Sequence, residues 1–500
     1  MMRRPIMQKV NGLTPGMIEQ NISKMREMFP EVFTNSKLDK NKLMLLLGES
    51  IEEDEESYEF SWRGKKAAIR LGQEPTSKTL QPRIEKSIDW DRTNNIYIEG
   101  DNLDALKILQ QSYQEKVKMI YIDPPYNTGM GFIFNDNFRE PISSYKTSAS
   151  SSQLTGRFHS NWLSFMYPRL MLARRLLTED GMIFISINDK ELYNLKKVCD
   201  EIFGEENFVT TLIWEKKKKP SFLDRNVGCV TEYILVFSKN NEKSHALSIE
   251  KTEEGKKYPF NNAGNTLRTL TFPENAVTFR IPDTIVNAQD MSAGKIITEL
   301  LDDVVIENGR NKNTFRLKGE WRYSQEKVYE IVKNREEIVI SKVPFRPNHV
   351  KRGGKVKKMR NLFSIAGYGF PTYEDADKEI TDIFGKKIFD YSKPERLIRG
   401  LIQSLLYNDN QAIVLDFFSG SGTTGEAVWR LNNEFGTNHQ FILVQLPEKI
   451  DSQSAAYHEG FQSISEIGRE RLKRSKERLF KQNSRPNQDL GFKFFHIDDN

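Results

Sequence analysis

Residues 121–129 read YIDPPYNTG. The preceding KVKM, residues 116–119, alternates lysine with apolar residues, so the stretch reads as the exit of a buried strand. Proline cannot donate to a sheet ladder, so Pro124 and Pro125 end that strand and stiffen the turn after it. A carboxylate (Asp123), a rigid backbone and an aromatic face (Tyr126) are thereby set side by side at a strand end.

Around this turn the chain alternates strands and helices. NNIYIEGDNLDALKILQQSY predicts a strand, a turn at Gly100 and a helix with Leu103, Leu106 and Leu109 inward. SNWLSFMYPRLMLARRLLTEDG reads as a helix with Ser160 as N-cap and Gly181 as its stop. MIFISI, FVTTLIW and TEYILVFSK read as strands, and DKELYNLKKVCDEIF as an amphipathic helix. This rhythm implies an α/β fold with a largely parallel sheet covered on both faces. It breaks over 241–380, a polar, basic and irregular stretch read as an inserted domain. It resumes with KPERLIRGLIQSLL, AIVLDFFSGSGTTGEAVWRL and QFILVQL. The expected divisions are a charged, mostly helical lead-in over 1–90, one half-domain over 91–240, the insert, a second half-domain over 381–480 and a tail over 481–500.

Hydrophobic residues make up 38% and aromatics 11%, enough for a sizeable core. Two cysteines, Cys199 and Cys229, exclude a disulfide framework and a cysteine-built zinc site. Histidines such as His159 and His349 lack metal-ligand spacing, so no metal is expected. No stretch has signal-peptide or membrane-span character, and a cytoplasmic protein without membrane contact is expected. The net charge is only +5, but residues 342–360 hold eight Lys or Arg and no acid. That clustering points to nucleic acid, through Lys355, Lys357 and Lys358, with Phe345 and His349 interleaved. Lys216 and Lys217, within EKKKK at 215–219, form a second candidate contact, a solvated loop being the alternative.

GSGTTG, with Gly420, Gly422 and Gly425, follows a strand and opens a helix. The spacing matches a dinucleotide turn, but Glu426 and Ala427 stand where a phosphate loop needs Lys and Ser or Thr. S-adenosylmethionine fits better: its carboxylate suits a helix N-terminus and its ammonium suits Asp416 at the strand end. Asp101 offers a further acceptor for its adenine or ribose. A tight packing turn is the plainer alternative.

Beside such a donor, the DPPY turn has a specific use. The exocyclic amine of a nucleobase is a poor nucleophile because its lone pair is delocalised into the ring. A carboxylate accepting one N–H bond and a fixed carbonyl accepting the other draw that nitrogen toward tetrahedral geometry. The base must leave the duplex, and Tyr126 offers it a stacking face.

DPPY far ahead of FFSGSG, with a basic segment between, resembles the circularly permuted β class of N6-adenine DNA methyltransferases. The blocks NIYIEGDNLDALKILQQSYQEKVKMIYIDPPYNTG, FHSNWLSFMYPRLMLARRLLTEDGMIFISINDKE, DYSKPERLI, VLDFFSGSGTTGEAV, FILVQLPE and GFKFFHIDDN are similar to the modification subunit of type III restriction-modification systems. The resemblance implies a permuted Rossmann-like methyltransferase fold with a seven-stranded sheet and an inserted target-recognition domain. It implies S-adenosylmethionine as donor, adenine N6 in double-stranded DNA as acceptor, a homodimer, and a restriction (helicase-nuclease) subunit as partner. It places catalysis on Asp123, Pro124, Pro125 and Tyr126. It places the cofactor on Asp101, Asn102, Lys393, Pro394, Asp416, Phe418, Gly420, Gly422, Thr423 and Gln445. Gln445 is a departure, standing where many β-class enzymes carry an acidic ribose ligand. Cytosine-N4 methylation shares the amine chemistry and stays open, as do a non-catalytic DNA-recognition subunit and an oxidoreductase. Cytosine-C5 methylation needs a cysteine after proline, and Cys199 and Cys229 follow Val198 and Gly228.

Overall fold

The structure is a computed structural model that describes residues 16–34, 37–47, 59–127, 155–220, 226–251, 253–353, 356–482 and 488–498. It divides into two compact units, Met1–Leu247 with Arg360–Asn500, and Ser248–Met359.

The first unit is built on one ten-stranded sheet. In chain order its strands are β1 (Thr79–Pro82), β2 (Ile96–Glu99), β3 (Val117–Ile122), β4 (Leu177–Ile187), β5 (Phe208–Glu215), β6 (Thr231–Ser238), β7 (Leu362–Phe363), β8 (Ile413–Asp416), β9 (Gln440–Gln445) and β10 (Lys493–Asp498). Their order across the sheet is β7-β5-β6-β4-β3-β8-β9-β2-β10-β1. From β4 to β10 every neighbouring pair is parallel, and β6 runs antiparallel to both β4 and β5. The expected seven strands form the unbroken run from β5 to β2. The sheet is wider than expected because β7 extends one edge, while the closing GFKFF block and the lead-in supply β10 and β1 at the other. Apolar packing explains that extension: Phe494 of β10 is buried and stacks on Tyr97 of β2 with centroids 5.5 Å apart.

Every residue of β3 is buried, as a parallel strand covered on both faces requires. Its lysine, Lys118, is buried against Asp180. The covering helices are α1 (Asn102–Tyr113), α2 (Thr155–Leu176), α3 (Leu192–Phe203), α4 (Tyr373–Phe384), α5 (Glu395–Leu406), α6 (Thr423–Phe435) and α7 (Ile464–Lys481). Leu103, Leu106 and Leu109 of α1 point into the core as their spacing predicts. The bounds of α2 differ from expectation. It starts at Thr155, so Ser160 is interior, and it ends at Leu176, so Gly181 is not its stop. Gly181 lies within β4, where a Cβ would come within 3.0 Å of the Lys118 and Thr178 carbonyls. Among the described residues no helix is long and apolar enough to cross a membrane.

The second unit is shorter at both ends than the expected 241–380 insert. It has a seven-stranded and a four-stranded sheet around Phe260, Phe272, Phe315, Trp321 and Phe345. The stretch looked irregular because its strands are only two to six residues long, yet Phe315–Glu320 alternates buried and less buried positions. Phe345 is part of this core and His349 is also buried, so neither offers a face to a base.

Helix α7 runs against the turn between β8 and α6. A Cβ on Gly468 would lie 2.6 Å from the Tyr97 hydroxyl and 2.9 Å from the Gly420 carbonyl. Gly468→Ala is therefore expected to overpack this contact and cost about 1–3 kcal/mol. The check is the urea midpoint; an unchanged value would mean that α7 can move away freely.

Candidate active site

β3 and β8 are neighbours, with Met119 opposite Val414 and Ile120 opposite Leu415. The turns that leave their C-terminal ends therefore emerge side by side, where α/β sheets bind ligands. From β3 comes Asp123-Pro124-Pro125-Tyr126, and from β8 the glycine turn.

Asp123 receives both of its described hydrogen bonds from the Lys393 Nζ, at 2.9 and 2.8 Å. The same ammonium donates to the Tyr126 hydroxyl at 2.9 Å and stands 3.7 Å from Glu232. The rings of Tyr126, Tyr373 and Trp214 surround it, with centroids at 5.0, 5.2 and 5.9 Å. Burial opposes the charge on Lys393, but Asp123 and Glu232 outweigh it and hold its ammonium above the ordinary lysine range. Burial, then Asp123 and Glu232, push the Tyr126 phenol far above its usual value, so that hydroxyl stays neutral. The Pro125 carbonyl accepts from the Trp162 indole at 2.7 Å. Asn127 takes a left-handed φ of 54° and donates to Glu191, which is fully buried. Glu191 also pairs with His159 Nδ1 at 2.6 Å and accepts from Asn194 at 2.8 Å. The DPPY turn is thus anchored to α2 and α3 from behind.

The glycine turn is held as closely. Asp416 accepts from the Phe418 N–H at 3.0 Å and from the Thr424 hydroxyl at 2.5 Å. Burial pushes its carboxyl up to about 7, and the nearby Asp123 adds to this. Gly420 and Gly422 have φ of 49° and 79°, which favours glycine at both. The Gly420 N–H donates to Gln445 Oε1 at 2.7 Å. A Cβ on Gly422 would meet the Gly468 carbonyl at 3.0 Å, so that glycine makes room for α7, not for a ligand. Thr423, Ser421 and Ser392 all accept from the buried Arg471, whose Nε also meets Glu426 at 2.9 Å. The charge of Glu426 is thus matched inside the protein.

Several expected cofactor ligands are already engaged. Asp101 caps α1 through the N–H groups of Leu103 and Asp104, and its other oxygen faces Arg169 at 3.3 Å. Asn102 donates to the Phe417 carbonyl and accepts from Arg169. Pro394 is the N-cap of α5. Lys393 stands on the Asp123 carboxylate. Phe418 is partly buried, beside Phe165 at 6.0 Å. Of the basic residues, Lys216 is turned inward to Glu232 at 3.2 Å, Lys217 is half-buried, Lys357 pairs with Glu250 and Lys358 is exposed. Lys355 lies outside the described residues.

Glu232, Tyr373, Trp214, Trp162 and Glu191 are site residues that the sequence reading did not single out. One signal was available: Glu232 is the lone acid within the apolar strand TEYILVFS, and it is buried.

The residues fit S-adenosylmethionine. Asp416 sets a carboxyl at the end of β8 beside the turn, and Gly420 keeps side-chain bulk off it. When bound, the cofactor supplies an electrophilic methyl group.

The DNA methylase family model N6_N4_Mtase matches residues 117–455. The type III restriction-modification enzyme StyLTI Mod subunit of Salmonella typhimurium is 32% identical, over 95% of this chain and 74% of its own length. The EcoP15I Mod subunit of Escherichia coli is 31% identical, over 96% and 77%. A solved M1.HpyAVI–SAM complex overlaps 75% of this chain and 98% of its own at 14% identity, with a TM-score of 0.32, too loose to carry an argument. The family match takes in both strand-end turns, and the Mod relatives extend it over nearly the whole chain: the protein belongs to the DNA methylase family, as a modification subunit of the type III restriction-modification kind, and its methyl donor is S-adenosylmethionine.

Proposed function

We propose that the chain methylates N6 of adenine in double-stranded DNA, with the target base flipped into the pocket between Asp123 and Tyr126. The observation that carries this reading is the Asp123 carboxylate and the Tyr126 ring held together beside the glycine turn. Asp123 accepts one amine hydrogen. The Pro125 carbonyl already accepts from Trp162, and the Pro124 carbonyl is assigned the other amine hydrogen. Two acceptors on one amine draw its lone pair out of conjugation. The Tyr126 ring stacks on the base, and its hydroxyl is fixed by Lys393 and Glu232. Gly420, Phe418, Asp416 and Gln445 form or brace the turn that seats the methyl donor.

Cytosine N4 presents the same kind of amine. Aspartate in the tetrapeptide, where cytosine-N4 enzymes often carry serine, favours adenine. Nucleoside mass spectrometry of treated DNA decides between them; N4-methylcytosine without N6-methyladenine would overturn the adenine assignment. The unit Ser248–Met359 is assigned target recognition on its basic stretch. A homodimer and a restriction subunit are the proposed partners, since the relatives are Mod subunits by name. A DNA substrate puts the enzyme in the cytoplasm.

Asp123→Ala should abolish methyl transfer while S-adenosylmethionine binding, read by calorimetry, persists. Near-normal turnover in folded protein would remove Asp123 from the chemistry. Tyr126→Ala should lose base stacking of about 1–3 kcal/mol, with Tyr126→Phe retaining most activity; equal losses in the two would assign the effect to the hydroxyl. Replacing Lys355, Lys357 and Lys358 by Ala should weaken all DNA sequences alike and flatten the plot of log affinity against log salt by about 0.9 per phosphate contact. Anisotropy titrations at several salt concentrations measure it, and an unchanged slope would leave the stretch a solvated loop.

A further inference from the structure

Lys393 raises a problem of occupancy. Its ammonium sits on both oxygens of the carboxylate that must accept the base amine. Each oxygen can still accept a second bond, but an ammonium on both makes Asp123 a weaker acceptor, and withdrawal of Lys393 would restore its full strength. Lys393 cannot yield to water, because its side chain is only 5% exposed and three aromatic rings surround it.

A second anion lies within reach. Glu232, with 7% of its side chain exposed, stands 3.7 Å from the Lys393 Nζ. Its oxygens accept from the Tyr373 hydroxyl at 2.8 Å, the Tyr126 hydroxyl at 3.2 Å and the Lys216 ammonium at 3.2 Å. These bonds hold it in place and keep its approach to Lys393 fixed. An advance of about 1 Å brings Lys393 into hydrogen-bond range of it. That movement stays inside the ring of Tyr126, Tyr373 and Trp214, so the ammonium exchanges one anion for another without crossing an apolar gap.

We propose that Lys393 is a positioning residue that guards the base pocket. It holds Asp123 while the pocket is empty and passes to Glu232 when the base amine arrives, leaving Asp123 as a full anion toward the amine. The inference rests on the amine-methylation reading above and gives Lys393 a part other than the cofactor contact that the resemblance implies. Glu232 is the receiving anion, and Lys216 and Tyr373 hold it ready.

A double-mutant cycle tests this. Tritium transfer from labelled S-adenosylmethionine to unmethylated genomic DNA is followed for wild type, Glu232→Gln, Lys393→Met and the double variant. Glu232→Gln is isosteric and leaves Lys393 nowhere to go. It should lower kcat/KM for DNA about tenfold, with cofactor affinity by calorimetry unchanged. In the Lys393→Met background the same substitution should matter less than about twofold, because no ammonium remains to be received. Equal losses in both backgrounds overturn the proposal, as does no loss from Glu232→Gln alone. Folded Lys393→Met without turnover also overturns it, since the ammonium would then be needed with the base in place. If Lys393→Met does not fold, Lys393→Gln replaces it in the cycle. Wild-type protein that transfers nothing to DNA would instead sink the underlying methylation reading.

Discussion

The parallel pairing of β3 with β8 is the contact on which the site depends. Each strand ends in a turn with one proposed task, the DPPY turn for the base and the glycine turn for the methyl donor. Only side-by-side pairing brings those turns to one crevice. The segment before α5 then ties them together: Lys393 reaches Asp123 across the gap, while Ser392 hydrogen-bonds to Ser421 at 2.9 Å. Two adjacent residues thus connect the base side and the donor side.

Beneath the glycine turn lies a layer of buried charge. Glu426 meets Arg471 and Arg430, each at 2.9 Å, and Glu395 meets Arg399 at 2.9 Å. Burial pushes the Glu395 carboxyl up to about 7. Such pairs recover little net stability, because taking charges out of water costs as much as their attraction returns. Geometry is what they supply. The planar guanidinium of Arg471 fixes three hydroxyls at once, Ser392, Ser421 and Thr423, so the first turn of α6 has little freedom.

Features set by local chemistry could be read from the sequence: proline at a strand end, glycine at positive φ, and leucines at helical spacing. The permuted order was legible too, because both turns carry their own motifs. What each acid does with its lone pairs was not. Asp101, Asp416 and Gln445 stand at the expected places, yet their described bonds hold a cap or a turn, and sequence cannot show which acceptors are already filled. Lys393 was expected beside the cofactor, but no periodicity links residue 393 to residue 123. Short strands hid the core of the second unit, and a serine able to cap at position 160 concealed that α2 begins at Thr155.

The permutation has a consequence for synthesis. β3 is buried on both faces and is made well before β8, its neighbour on one side. About 290 residues separate Ile122 from Ile413. At about 5–20 residues per second, the ribosome leaves that edge without its partner for about 15–60 s. An unpaired apolar strand edge is a template for aggregation. The nascent chain therefore carries an unpaired edge of β3 through the synthesis of the second unit, and a chaperone has that interval in which to act.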